Sequence, residues 1–252
     1  MQKDVVAGLG EIGFPIYKIF SKNYPTDGYD IDKNLMPKNS KKIENNLVRF
    51  LHICIPFNKF FSHNIQKLNK QFVPKCIIIH STIKPETTKK LQTKLNIPII
   101  YSPTRGVHKR MIHDLKRYTK FFAIYPNVKN SNLLSKNYTN LLKKSGIKSK
   151  KISNSTTLEL SKIICDTSYY GWLINYAQMS KMICDKYNVD YDEMWSFSDE
   201  IHKFLGNRPK MFPGFIGGHC VIPNLELIDE ESFNSINQIN NVFKNFLKKT
   251  KS

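Results

Sequence analysis

Short apolar runs alternate along the chain with stretches whose apolar residues recur every three to four positions. Residues 4–7 form the first run, and the stretch after it places Ile12, Ile16, Ile19 and Phe20 on one helical face. Residues 28–32 read as the end of a second strand and 48–55 as a third that stops at Pro56. Further strands are expected at 75–80, 97–101 and 120–125. Helical periodicity covers 64–72, 85–95, 107–118 and 133–144. Strands and helices alternating at this spacing predict an α/β fold built on a parallel, doubly wound sheet. Ligands of such sheets sit beyond the carboxyl ends of the strands. The loops at 56–57, 81–82 and 102–105 therefore matter most.

The pattern changes in the second half. Residues 143–157 are rich in Lys, Ser, Asn and Thr, which marks a boundary near 150–156 and divides the chain into domains 1–152 and 153–252. Thr156 or Thr157 is placed to cap the helix that follows. From 158 to about 187 no Pro intervenes and apolar residues keep helical spacing, so one helix of roughly thirty residues is expected, beyond the usual globular length. Such helices often carry subunit contacts, and a homodimer through this one is expected. Two more helices are expected at 190–204 and 232–247, making the second domain all-helical.

Composition narrows the class. Apolar residues make up 40% of the 252, with 16 Phe and 12 Tyr, enough for a substantial core. The net charge of +19 comes from 39 basic residues, of which only Arg49, Arg105, Arg110, Arg117 and Arg208 are Arg. Arg is the usual reader of bases, so this Lys-dominated charge suits anionic small ligands better than specific nucleic-acid recognition. No run reaches transmembrane length, and a first strand starting near residue 4 leaves no room for a signal peptide. Cys54, Cys76, Cys165, Cys184 and Cys220 are scattered, with no CxxC pair. This suits a reducing compartment, the cytoplasm by default, and gives no metal site.

Two stretches carry candidate chemistry. Gly8, Gly10 and Gly13 form a GxGxxG turn after the first strand and open a helix. Asp30 follows 22 residues after Gly8, at the end of the second strand. This is the arrangement of a Rossmann-type dinucleotide site. Gly8 makes the tight turn, Gly10 lets the backbone meet a pyrophosphate, and Gly13 allows close helix–strand packing. Glu11 and Ile12 lie within the same cofactor-binding turn. Asp30 would accept from ribose hydroxyls, which favours NAD over NADP. The second stretch is residues 213–224, where Gly217, Gly218 and His219 precede Cys220. Taken alone it is a glycine turn with a buried thiol. After a dinucleotide site it becomes a candidate nucleophile.

These features, in this order, resemble the UDP-glucose/GDP-mannose dehydrogenase family, NAD-dependent enzymes that oxidise a sugar 6-hydroxyl twice through a covalent thioester. Residues 214–220 (Gly-Phe-Ile-Gly-Gly-His-Cys) resemble the family's GFxGGxC loop, which places Cys220 on the nucleophile, with Gly217 and Gly218 at the substrate. Residues 157–162 resemble the start of its central helix, where an ExxK pair places a catalytic lysine, here Lys162. Residues 81–88 resemble its STxxxGTT segment beside the nicotinamide, with Glu86 in place of the glycine. Thr82 falls there, and Pro56 follows the preceding strand. Residues 102–105 resemble its SPER segment, and the resemblance puts Arg105 at the substrate.

The departures are specific. Thr104 stands where the family has a glutamate base, Asp166 where it has an asparagine oxyanion donor, and Asn224 where it has an aspartate. The last two read as an exchange of amide and carboxylate. Thr104 is no general base at neutral pH, so thioester hydrolysis is expected to be slow unless Asp166 takes over. The family's third domain is expected to be absent, since the chain ends some thirty residues past Cys220. The readings that remain are a nucleotide-sugar dehydrogenase, an NAD-binding dimeric module that has lost turnover, and a smaller reductase of the 2-hydroxyacid or ketopantoate type.

Overall fold

The computed structural model describes residues 2–37, 48–125, 128–205, 213–218, 220–227 and 231–249. His219, expected to serve packing beside the thiol, lies outside them, as does Arg208. The chain forms two compact units, residues 1–162 and 163–252.

The first unit begins with β1 (Lys3–Ala7), α1 (Gly13–Phe20) and β2 (Thr26–Tyr29), followed by β3 (Val48–Ile53), α2 (Phe61–Phe72) and β4 (Cys76–Ile79). It continues with α3 (Thr87–Leu95), β5 (Ile99–Tyr101), α4 (Met111–Arg117), β6 (Lys120–Ile124) and α5 (Ser131–Lys144), and ends with β7 (Ser149–Ile152) and α6 (Ser155–Ser161). The seven strands form one sheet in the order β2-β1-β3-β4-β5-β6-β7. Alternate residues of the apolar runs feed two cores. Val5, Leu51, Ile53, Ile77, Ile79 and Ile99 pack on one face with Phe61, Ile65 and Leu91. Val6, Phe50, Cys76, Ile78 and Ile100 pack on the other with Ile16, Phe20 and Leu142. Helices cover both faces, so strands read as near-continuous apolar runs.

Three expectations change here. The sheet is not wholly parallel: β6 runs antiparallel to β5, pairing Ile100 with Ile124 and Tyr101 with Ala123. The buried carboxylate of Asp114 explains this, because it accepts from the Val107 N–H at 2.9 Å and the Arg110 Nε–H at 3.0 Å. Arg105 meanwhile donates to the Thr119 carbonyl at 2.8 Å. These bonds fold the connection back, so the chain re-enters the sheet at the edge where it left. Second, residues 149–152, expected as linker, form β7, parallel to β6. Its two exposed lysines, Lys150 and Lys151, suit an edge that must not pair further. Third, the compact units divide at 162/163 rather than 152/153, because Glu159 of α6 is bonded into α3 of the first unit. The helix start also moves: Asn154 caps α6 by accepting from the Thr156 N–H at 2.8 Å, a role expected of Thr156 or Thr157.

The long helix is also not uniform. After α6 the chain makes a π-helical run, Lys162–Ser168, and then α7 (Tyr169–Tyr187). Single π-turns of this kind are frequent at functional sites. The second unit holds α7, α8 (Tyr191–Leu205), the short α9 (Ile222–Leu225) and α10 (Asn234–Lys249). Ile216, Val221, Leu225 and Ile236 form its core with Ile174 and Phe233. Gly171 permits this packing, since a Cβ there would stand 3.3 Å from Ile236 Cγ2 and Val221 Cγ1. Trp172, Tyr176, Met179, Ile183 and Tyr187 of α7 are exposed. Among the described residues no helix is long and apolar enough to cross a membrane.

Candidate active site

The Gly8–Gly13 turn sits where the strand order reverses, since β1 lies between β2 and β3, the position at which such sheets bind ligands. Gly8 has φ +90°, and a Cβ on it would come 2.8 Å from the Cys54 carbonyl oxygen. A Cβ on Gly13 would stand 1.6 Å from the Gly8 carbonyl oxygen, so the turn and α1 approach too closely for any side chain. A Cβ on Gly10 would meet nothing within 4 Å: its space is open. No side chain caps α1, and its first turn carries no acid, which leaves the positive end of that helix to an outside anion. Asp30 closes the turn, its Oδ2 accepting from the Leu9 N–H at 2.6 Å and its Oδ1 from the Asp32 N–H at 3.0 Å. Glu11 is exposed and pairs with His108 at 2.7 Å. Pro56 is exposed just past β3, and Thr82 is half-buried just past β4. The close-packed glycines, the open space at Gly10 and the uncapped helix fit a dinucleotide.

Beyond β4, Glu159 is fully buried and caps α3 from another helix, accepting from the Glu86 N–H (2.6 Å) and from the N–H (2.9 Å) and hydroxyl of Thr88 (2.5 Å). Burial raises its pKa, and the three donors oppose that rise. Glu86 itself has φ +65°, the left-handed region. That explains why the similar family segment carries a glycine here. Glu86→Gly is expected to raise stability by roughly 1 kcal/mol by removing this strain, as a urea unfolding midpoint would register. An unchanged or lower midpoint would show that the strain is negligible.

At the ends of β3, β4 and β5 lies a buried polar chain that the sequence did not suggest. His80 Nδ1 must donate to the Ser102 carbonyl at 3.0 Å, so its Nε2 accepts from His52 Nδ1 at 2.9 Å. His52 Nε2 then carries no proton, and it faces the Asp4 carboxylate at 3.9 Å without a hydrogen bond. Burial lowers both histidine pKa values, consistent with two neutral rings. Ser102 is also bonded to the Tyr138 hydroxyl at 3.0 Å and donates to the Phe121 carbonyl at 2.9 Å. Arg105, expected at the substrate, stacks over Phe121 with 5.0 Å to the ring centre while holding Thr119.

Lys120 is the other group the sequence analysis missed. Its ammonium is buried and donates to Thr104 Oγ1 at 2.8 Å and to the Pro103 carbonyl at 3.1 Å. Burial, with the charges of Lys162 and Arg105, lowers its pKa from 10.5 to about 7, against the opposing pull of Cys54. Between those two values the unfolded chain binds the proton and the folded chain does not. Stability from this group is therefore complete above 10.5 and is lost as pH falls through about 7. Lys120→Met should flatten that rise, by a few kcal/mol in all. Denaturation curves at pH 6.5 and 9.5 for both proteins would check this, and equal slopes would contradict it.

In the second unit Cys220 is exposed, one residue before the buried Val221, on a loop that includes Gly217 and Gly218 (φ +75°). Buried amides hold this loop. Asn240 of α10 accepts from the Ile216 N–H at 2.8 Å and donates to its carbonyl at 3.0 Å, as a neighbouring strand would. Gln178 of α7 donates to the Gly214 carbonyl at 2.7 Å and to Asn240 Oδ1 at 3.2 Å, and it accepts from Asn175 at 2.8 Å. Asn224 lies in α9, four residues after Cys220. Lys162 and Asp166 both lie in the π-helical run. Asn240→Leu leaves both Ile216 groups unpaired and is expected to cost about 2–3 kcal/mol. Amide exchange at residues 214–218 should rise with it, and unchanged protection there would contradict the clamp.

No known protein-family profile matches the chain, and a search of curated proteins returned no match. Solved structures do match. The UDP-D-ManNAc dehydrogenase of Pyrococcus horikoshii superposes with a TM-score of 0.78 at 20% identity, covering 97% of this chain and 69% of that one. A UDP-glucose dehydrogenase of Pyrobaculum islandicum gives 0.72 at 12% identity, covering 97% and 67%. The 3-hydroxyisobutyrate dehydrogenase of Mycobacterium tuberculosis gives 0.61 at 13%, covering 100% and 88%. The chain has the α/β fold of the nucleotide-sugar dehydrogenases, a Rossmann-type sheet followed by helices.

Proposed function

We propose that the chain is an NAD-dependent dehydrogenase that oxidises the primary hydroxyl of a nucleotide sugar. The observation that carries this reading is the uncapped Gly8–Gly13 turn at the strand-order reversal, closed by Asp30. Gly8, Gly10 and Gly13, with the backbone of Glu11 and Ile12, hold the pyrophosphate. Asp30 holds the ribose, its second lone pairs remaining for hydroxyl donors. Pro56 and Thr82 flank the nicotinamide. NAD, when bound, supplies the electron acceptor for both oxidations.

The remaining roles belong to this chain's own groups. The exposed Cys220 thiolate attacks the aldehyde carbon, and after the second oxidation it holds the acyl group as a thioester. Lys162 stabilises the developing oxyanion. Asp166 and Asn224 share the carboxylate and amide functions around the reacting oxygen. Gly217 and Gly218 let the sugar approach, and Arg105 steadies the loop beneath it. The exposed aromatic face of α7 is where two copies would pair, and the cytoplasm is where these free thiols would stay reduced.

The coverage of the 3-hydroxyisobutyrate dehydrogenase favours a second reading, a reductase of small hydroxy acids, which needs no thiol. NAD+ offered with a panel of UDP- and GDP-sugars, and with small hydroxy acids, separates the two. NADH from a sugar supports the first reading, NADH from a hydroxy acid alone supports the second, and NADH from neither overturns both.

A further inference from the structure

The antiparallel turn of β6 has a chemical consequence. Because β6 re-enters the sheet from the carboxyl edge of β5, its first residue, Lys120, stands at that edge. Continuing the register that pairs Tyr101 with Ala123 places Lys120 opposite Thr104. The contact is realised: Lys120 Nζ lies 2.8 Å from Thr104 Oγ1, with both residues buried.

A lysine kept in a protein interior for structure alone is normally paired with a carboxylate. Among the described residues, Lys120 bonds only two neutral oxygens and forms no ion pair. The charged and titratable groups around it are Lys162, Arg105, Cys54 of β3, and the neutral His52 and His80 of β3 and β4. Lys162 and Arg105 disfavour its ammonium form. The Thr104 hydroxyl can serve either state, accepting from an ammonium or donating to a neutral amine. A hydroxyl and an amine arranged in this way form a base, as in Ser–Lys nucleophile pairs.

We propose that Thr104 and Lys120 form a proton relay that activates water for release of the acyl group. As water oxygen bonds to the acyl carbon and the carbon–sulfur bond breaks, the water proton passes to Thr104 Oγ1. The Thr104 proton passes in turn to Lys120 Nζ, the sulfur leaves as thiolate, and Lys120 later returns the proton to solvent. Lys120 acts through Thr104 and is a positioning and proton-holding residue. The inference rests on the dehydrogenase reading, and it supplies the base that Thr104 cannot be by itself.

The test uses the full chain with 13C-labelled lysine. Without ligand, one amine, missing from the Lys120→Arg spectrum, is expected to titrate near 7, well below the other lysines, and Thr104→Val should shift its midpoint. Titration of Lys120 together with the other lysines would overturn the relay. With NAD+ and a nucleotide sugar, acyl release should rise with pH through the same midpoint. Lys120→Arg, which keeps the charge and both hydrogen bonds but holds its proton, should slow release about a hundredfold or more and flatten that rise. Thr104→Glu in the Lys120→Arg background should recover at least about tenfold of it. If NADH forms and Lys120→Arg keeps the wild-type rate and profile, the relay alone fails. If no nucleotide sugar yields NADH, the dehydrogenase reading fails and takes the relay with it.

Discussion

Cys220→Ala is expected to reduce formation of the carboxylate product at least about a thousandfold, as loss of a covalent nucleophile does elsewhere. NAD+ affinity should stay within about twofold, since the variant leaves the first unit untouched. At most one NADH per sugar should appear, because the first oxidation needs no thiol and the second does. The other cysteines provide controls within the same chain. Cys76 and Cys184 are buried, and burial pushes the Cys54 thiol up to about 12. Cys165 is exposed like Cys220 but lies in the π-helical run. Cys165→Ala should therefore keep full activity. If it were the inactive variant and Cys220→Ala the active one, the nucleophile would be misassigned.

The largest loss of stability is expected from Arg49→Met. Asp4 is fully buried, and Arg49 holds it with two bonds, at 2.9 and 2.6 Å, while the Phe50 N–H adds a third at 3.2 Å. Removing one partner of a buried pair leaves an uncompensated charge and costs about 3–5 kcal/mol. For a chain of this size that is a fall of roughly 10 °C in Tm. His52 sets the pH dependence of the loss. Its unpartnered Nε2 faces Asp4 at 3.9 Å, so once Arg49 is gone a protonated His52 can supply the missing charge. Its folded pKa should rise, and stability that depends on the bound proton is present at low pH and lost as pH rises through that value. Melting curves from pH 5.5 to 8 should show the deficit widening with pH. A deficit under about 1 kcal/mol at every pH would contradict the buried-charge account.

What was legible in the sequence depended on short-range chemistry. The apolar runs predict β1, β3, β4, β5 and β6, since each is buried on both faces. The glycine spacing predicts the turn at Gly8–Gly13 because sterics there allow nothing larger. The direction of β6 was not legible. Asp114 and Arg105 set it through contacts that no local periodicity encodes. β7 was hidden because an edge strand of Ser149-Lys150-Lys151-Ile152 has no apolar run to mark it. Asn154 was passed over for the neighbouring threonines, although Asn is among the best N-caps. The same limits apply at the site. Cys220 and Asp30 stood out because their motifs are local. Lys120 looked like any other lysine, and only the antiparallel register brings it against Thr104.

The Cys220 thiol itself gives the most direct test. Wild-type protein mixed with NAD+ and a reactive nucleotide sugar, then quenched in acid within a turnover, should yield a Cys220 peptide heavier by the sugar acyl group. The adduct should vanish in Cys220→Ala and accumulate in Lys120→Arg. NADH that accumulates while the Cys220 peptide keeps its unmodified mass would contradict the account.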